Sequence, residues 1–562
     1  MMKKRITAAE MKAIDINASQ LGMESLLLME NAGSAVAEII AAQIRSEEMK
    51  AENIDQSEDE KSDNPPKALL FAGLGNNGGD VFVAARHLEN YGIASIVLLT
   101  GSAPQIKTQE SRKNYALLKQ SDRIKSIELK NESDLKEAVK EFENNIFAVV
   151  DGIFGTGFSG KATGIEKEAI DAINSIRKKN KKVFVLAVDI PSGLEASPAA
   201  SAECGNEEQN GRKTIVAADA TVTFHKMKTY LKDPNSEKFI GKIIVKQIGV
   251  PDYAEKYVGA GDLTALYRRD VKSKKGDSGK VLVIAGGAYT GAPALAGMAA
   301  LRTGCDIAAV AAPHKIYEAV ASFSPELIVK KLPTELLAEE NIPILKEFIA
   351  AHDTVIIGPG LGNNSAVLKT AAELIPHIQK AVIDADALRP EILDALEKRA
   401  EKSKTEIVLT PHYGEFRRLA EHYGINMTEK REENTAAEIE NAAAAICEKL
   451  NVTVLLKGAP DLICGGKENI RYNATGNSGM TVGGTGDVLA GTVGGLLAKN
   501  NAFESACCGA FVCGKAGDLA FEKKGNSLLP SDVLEKIPKA LNFENKSKIK
   551  SKNDKTKRNY KK

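Results

Sequence analysis

The sequence predicts two parallel α/β domains in tandem, and three observations carry that reading. Short β-branched, apolar runs alternate with amphipathic helical patterns along most of the chain. The alternation breaks once, near Val258–Lys275, and resumes with different loops. At 562 residues the chain can hold at least two domains, each large enough to bury a core without disulfide or metal staples. The expected division is residues 1–255, a linker over 256–275, and residues 276–540.

The first set of strand-like runs is Ala68–Ala72, Ile93–Leu99, Phe147–Val150, Val183–Val188, Ala220–Phe224 and Lys242–Ile248. The second set is Val281–Ala285, Ile307–Ala311, Thr354–Ile357, Ala381–Ile383, Ile407–Leu409 and Thr453–Leu456. Two segments lack the apolar content that offsets ordering entropy. These are the acidic stretch 46–66, read as a disordered insertion, and the Lys-rich tail 541–562. The uncharged stretch Val281–Leu301 is long enough to cross a bilayer, but its glycines and Pro293 make strand, turn and helix the better reading.

Lys and Arg number 75 against 74 Asp and Glu, so no chain-wide basic footprint for nucleic acid exists. The seven cysteines form no CxxC pair, which suits reduced core thiols. No apolar signal segment follows the basic N-terminus. A cytoplasmic chain with neither a nucleic-acid partner nor a membrane segment is expected.

In parallel α/β folds, ligands bind where strands end. The first run leads into Gly73-Leu-Gly75-Asn76-Asn77-Gly78-Gly79-Asp80, which opens a helix and can present backbone N–H groups to phosphate. The second strand ends at Thr100-Gly101-Ser102 without the carboxylate that a hydride-transfer site uses to hold ribose. Asp151 closes the third run before the loop Gly155-Thr156-Gly157-Phe158-Ser159-Gly160-Lys161. Asp189 and Ser192 end the fourth. Each alone reads as a cap or turn. As a set, Asn77, Asp151, Asp189 and Ser192 are oxygen donors that suit a hard cation.

The set LMENAG, GLGNNGGD, DGIFGTG, VDIPSGL and TFHKMK resembles the NAD(P)H-hydrate epimerase family, which has a Rossmann-like three-layer αβα fold. The resemblance implies that Asn76, Asn77, Gly78, Gly79, Asp80 and the Gly155–Lys161 loop bind the hydrated dinucleotide. It implies potassium at Asn77, Asp151 and Ser192, and a substrate carboxylate at Asp189, either as acid/base or as a positioning group. Lys228 stands in a motif that departs from the family's usual Pro-Lys, and Val81 replaces the family's glycine.

The second half repeats the strand-end arrangement. Gly286–Ala292, Gly358–Gly362, Asp384–Leu388, Thr410–His412 and Lys457–Asp461 each follow a run. The Gly483-Gly484-Thr485-Gly486-Asp487 turn opens an apolar helix. Amides at that helix start can stabilise a transferring phosphoryl group, and Asp487 lies where a general base belongs. By itself His412 reads as a satisfied structural residue. Asp384 and Asp386 read as a magnesium–water shell or as turn residues.

Together GPGLG, DADAL, TPH, LLKG and GGTGD resemble the ribokinase-like fold, and within it the NAD(P)H-hydrate dehydratase family. The resemblance implies Ala292, Gly360 or Gly362, His412 and Asp487 at the hydrate. It implies Lys457, Gly458, Ala459, Pro460, Asp461 and Gly486 at ADP or ATP, with magnesium. The expected protein repairs NADH hydrate and NADPH hydrate and forms a homo-oligomer. The alternative is a small-molecule hydroxyl kinase fused to a nucleotide-binding module.

Overall fold

The computed structural model describes residues 5–52, 67–142, 146–195, 214–400 and 405–542. They form two compact units that meet in sequence between Pro251 and Asp252. The N-terminal unit contains β1 (Arg5–Ile6), β2 (Lys67–Ala72), β3 (Ala94–Leu99), β4 (Ile124–Glu128), β5 (Ile146–Gly152), β6 (Phe184–Val188), β7 (Ala220–Phe224), β8 (Met227–Lys228) and β9 (Lys242–Lys246). Seven of these make one sheet in the order β4-β3-β2-β5-β6-β7-β9, every pair parallel. The chain moves outward from β2 to β4, then returns to add β5 on the other side of β2. Strand order therefore reverses between β2 and β5, where a crevice opens at the carboxyl ends.

The C-terminal unit contains β10 (Lys280–Ile284), β11 (Ile307–Pro313), β12 (Ile328–Leu332), β13 (Thr354–Ile357), β14 (Lys380–Ile383), β15 (Glu406–Leu409), β16 (Thr453–Leu456), β17 (Asp461–Cys464) and β18 (Ile470–Asn473). Their order is β12-β11-β10-β13-β14-β15-β16-β17-β18, so the reversal falls between β10 and β13. Alternate residues of β10 serve opposite cores. Val281 and Val283 join the cluster under the helices Gly291–Arg302 and Thr485–Leu497. Leu282 and Ile284 join the cluster on the other face. Both faces are covered, which is why these strands read as continuous apolar runs.

The structure departs from the expectations in places with physical causes. The edge strands β4 (IKSIE) and β12 (IVKKL) carry charges and exposed positions, so they lack the apolar signature of a central strand. The sheet of the second unit is not wholly parallel, because β16, β17 and β18 pair antiparallel. The stretch read as a linker enters the second unit's core through Val258, Ala260, Leu263 and Leu266. Its anchors are Val258 N–H donating to Tyr472 O at 2.8 Å and an Arg471–Asp262 ion pair at 2.9 Å. The helix Ser25–Glu52 runs through residues 46–52, the start of the segment read as disordered. The rest of that segment, and the tail from 543 on, lie outside the described residues.

Val281–Leu301 forms the strand, turn and helix expected of it. The helix Ser25–Glu52 contains one stretch, Ser25–Glu47, long and apolar enough to cross a membrane by length and composition. Val36, Ala37 and Ile40 on that helix are fully buried within the unit, as in a core helix. The six described cysteines are free and buried.

Candidate functional site

Each unit closes its strand-order reversal with the same backbone device. Gly73 follows β2 so tightly that a Cβ there would sit 1.9 Å from the carbonyl oxygen of Ile153, in the loop after β5. Gly286 follows β10, and a Cβ there would sit 1.9 Å from the carbonyl oxygen of Leu361, in the loop after β13. Only glycine allows that approach. In the first unit, Val81 fills space that a side chain at Gly152 would need, its Cγ2 lying 2.2 Å from that missing Cβ. The departure at position 81 is thus accommodated by Gly152 in β5.

Above the first reversal lies a cleft of about 960 Å³. Its lining includes Asn76, Asn77, Asp80, Gly155, Thr156, Gly157, Phe158, Ser159 and Asp189. Phe154 and Phe158 stack at its rim with ring centroids 4.2 Å apart. Gly160 N–H donates to Glu195 at 2.6 Å, while Lys161 is exposed. Gly78 and Gly79 are buried in the helix Asn76–Asn90 beneath the turn.

Asn77, Asp151 and Ser192 are linked through the backbone of Phe154. The Ser192 hydroxyl donates to Asp151 Oδ1 at 2.6 Å, and Ser192 N–H donates to Oδ2 at 2.7 Å. The Ser192 hydroxyl in turn accepts from Phe154 N–H at 2.9 Å. The Asn77 amide donates to the carbonyls of Phe154 and Val188 at 2.9 and 3.0 Å. Burial pushes the Asp151 carboxyl up to about 6. A buried carboxyl group among hydroxyl, amide and carbonyl oxygens has the donor chemistry of a hard cation site. Among the described residues, no cluster of three His, Cys, Asp or Glu side chains could hold a metal.

Asp189 adopts a positive φ of 65° in a turn. Its carboxylate accepts from the Thr223 hydroxyl at 3.3 Å and faces the ammonium of buried Lys228 at 3.7 Å. Lys228 is held by donating to Phe224 O at 2.7 Å. Burial, then the charges of Asp189 and Asp15, raise the Asp80 carboxyl well above the usual carboxylate range. Loop motifs did not reveal Asp15, because it sits in the middle of the helix Ala8–Gln20 with no glycine turn beside it.

In the second unit, Lys457 donates to buried Asp384 at 2.9 Å. Burial alone would lower the Lys457 ammonium, but Asp384 outweighs it and raises the group. Asp487 lies in the first turn of the helix Thr485–Leu497, after Gly484 at φ 100°. Burial, then the charge of Asp384, raises its carboxyl to about 7, against an opposing pull from Lys457. Gly486 lies beside the pair, a Cβ there reaching ordinary contact with Lys457 Nζ at 3.6 Å. Gly362 N–H donates to Asp386 at 2.8 Å, and Gly360 packs against Pro293, beside Ala292.

His412 has a structural task. Its Nδ1 accepts from Gly414 N–H at 3.0 Å and Glu415 N–H at 3.3 Å, capping the helix Tyr413–His422. It also forms a backbone bridge to Lys457, which sets it beside that strand end. The Lys457–Asp461 loop is tied down by Gly458 N–H donating to Asp461 at 2.8 Å and by Asn473 donating to the same carboxylate at 2.9 Å. Arg431, which the motifs did not single out, donates to Lys457 O at 3.3 Å and to Pro460 O at 2.7 Å.

Comparison with known proteins matches both halves. A family described as YjeF-related protein N-terminus matches residues 25–230, and one described as NAD(P)H-hydrate dehydratase matches residues 281–539. A bifunctional NAD(P)H-hydrate repair enzyme of Archaeoglobus fulgidus is 37% identical over 536 residues, covering 95% of this chain and 98% of that protein. Its counterpart in Methanocaldococcus jannaschii is 36% identical over 544 residues, covering 96% and 94%. A solved ribokinase-like superfamily protein of Enterococcus faecalis is 25% identical with a TM-score of 0.42, covering 51% of this chain and 95% of that one.

Proposed function

We propose a division of labour that proceeds from one premise: this chain belongs to the bifunctional NAD(P)H-hydrate repair enzyme family. Its N-terminal unit interconverts the R and S hydrates of NADH and NADPH. Its C-terminal unit dehydrates the S hydrate in a reaction coupled to ADP or ATP. The hydroxyl-kinase alternative is not favoured, since the matching relatives carry both halves.

The observation that carries the dehydratase assignment of residues is Asp487, poised at about 7 at a helix start beside the Lys457–Asp384 pair. Asp487 takes the proton from the hydrate hydroxyl as its oxygen attacks the terminal phosphorus of the nucleotide. Amides of the Gly484–Asp487 turn stabilise the equatorial oxygens. Phosphate is then a good leaving group. Loss of phosphate and of the neighbouring ring proton restores the dihydronicotinamide. Ala292, Gly360 or Gly362 and His412 bound the hydrate, while Lys457 to Asp461 and Gly486 seat the nucleotide. Magnesium would be held at Asp384 and Asp386, where it would supply charge neutralisation.

In the first unit, Asn76 to Asp80 and the loop Gly155–Lys161 hold the hydrate, and Asp189 meets its hydrated carbon. Potassium would be held by Asn77, Asp151 and Ser192, where its charge offsets the buried carboxylate and fixes the Phe154–Ser192 backbone. We place the enzyme in the cytoplasm as a homo-oligomer; buried free cysteines support a reducing compartment.

The test is incubation of the full chain with each hydrate, with and without ADP or ATP, in potassium and magnesium. Without nucleotide, R and S should equilibrate. With nucleotide, the reduced-nicotinamide absorbance should return with release of inorganic phosphate. Stoichiometric build-up of a phosphorylated hydrate would overturn the dehydratase reading in favour of a kinase.

A further inference from the structure

The cleft of the N-terminal unit holds a carboxyl group that no strand-end loop supplies. The helix Ala8–Gln20 is placed by β1, whose Ile6 pairs with Lys228 of β8. Thr7 then starts the helix in a capping box with Glu10, bonds of 2.7 and 3.1 Å tying the turn. This start brings Ala8, Met11, Lys12 and Asp15, one helical face, to the wall of the cleft. Asp80, Asp189 and Lys228 line the same cleft.

Asp15 therefore shares the cleft with Asp80, Asp189 and the buried Lys228. The charges acting on it are Lys228, Asp189 and His225, and Asp80 feels both Asp189 and Asp15. Lys228 stands 3.7 Å from Asp189, so the ammonium is paired with that carboxylate. Burial, opposed by Lys228 and reinforced by Asp189, raises the Asp15 carboxyl to about 6. The cleft thus has a carboxylate paired with a cation and, on the helix Ala8–Gln20, a second carboxyl raised towards neutrality. Two proton carriers in unlike surroundings are what an acid and a base require.

We propose that Asp15 is a further acid/base group of the epimerase reaction, delivering a proton to the departing hydroxyl while Asp189 receives one from the entering water. The proposal rests on the epimerase reading of this unit. The carbon–oxygen bond at the hydrated ring carbon breaks, and its oxygen leaves as water with the proton of Asp15. The ring-nitrogen lone pair forms the carbon–nitrogen double bond of an iminium. A water then adds to the opposite face, forming the new carbon–oxygen bond and returning the electron pair to nitrogen. Its proton passes to Asp189. Transfer from Asp189 to Asp15, through the neighbouring Asp80, resets the pair, and no atom is gained or lost.

The experiment follows R-to-S equilibration by the full-length protein without nucleotide, alongside dehydration of the S hydrate with ATP. Asp15→Asn keeps the shape and removes the transferable proton. It should lower epimerisation kcat by about 10²-fold or more with little change in KM, and leave dehydration at the wild-type rate. Asp15→Ala should recover rate when formate is added, which a folding defect would not do. The wild-type rate should fall as pH rises above about 6, because the acid must be protonated. That limb should vanish in Asp15→Asn. Wild-type epimerisation by Asp15→Asn, or an Asp15→Ala enzyme that formate does not restore, overturns the role of Asp15 alone. Failure of the wild-type chain to equilibrate the hydrates overturns the epimerase reading itself.

Discussion

The two strand-order reversals of this chain share a backbone and differ in nearly everything attached to it. Gly73 under Ile153 O and Gly286 under Leu361 O repeat one close approach, in which an added Cβ would sit 1.9 Å from the carbonyl oxygen. Above the first is a cleft lined by Asp15, Asp80 and Asp189, with Lys228 standing 3.7 Å from Asp189. Above the second is a closed Lys457–Asp384 pair at 2.9 Å and a helix start bearing Asp487. The first arrangement suits moving protons on a ring carbon; the second suits stabilising phosphoryl charge. Topology supplies the place, and the loops choose the chemistry.

The comparison breaks most sharply at Asp487. Asp487→Asn should lower dehydration by about 10²–10⁴-fold, measured as recovery of reduced-nicotinamide absorbance, and leave R-to-S equilibration intact. Equal loss of both activities would mean that the units do not divide the work. Next come the paired glycines. Gly286→Ala should cost its unit about 3 kcal/mol through backbone displacement and abolish dehydration first. Gly73→Ala should do the same to epimerisation, and thermal melts with both assays should separate the two. If either alanine is accepted without loss, the close approach is not required.

A smaller effect distinguishes the two acids. Asp487 must be ionised to act as base, so dehydration should rise about tenfold per pH unit up to about 7 and then level. Epimerisation should run the other way above about 6, since Asp15 must be protonated. Parallel pH profiles would remove the assigned contrast. The smallest change is Arg431→Lys, which loses the fork that holds Lys457 O and Pro460 O. It should raise the KM for nucleotide about fivefold with epimerisation unchanged, and an unaltered KM would make Arg431 a bystander.

The central strands were legible because burial on both faces forces continuous apolar residues, as in KALLFA and TVLL. The edge strands IKSIE and IVKKL were not, because one exposed side admits charge. The glycine loops announced themselves through composition. Asp15 and Arg431 carry no local signal: one is a charge on a helix, the other a surface-type residue folded over a distant loop. Val258, Ala260, Leu263 and Leu266 were masked by the glycines and charges around them, yet they complete the second core.

By itself the sequence determined the alternation of strands and helices, the loops that follow the strands and the family they belong to. These are properties of neighbouring residues, set by periodicity, turn chemistry and motif spacing. Only the tertiary structure decided which polar groups share a site: Asp15 with Asp80, Asp189 and Lys228, and Asp384 with Lys457 and Asp487. The protonation of Asp15, Asp80, Lys457 and Asp487 depends on burial and on charges brought together from remote parts of the chain. Electrostatics acts through space and solvent exclusion, and no local spacing encodes either.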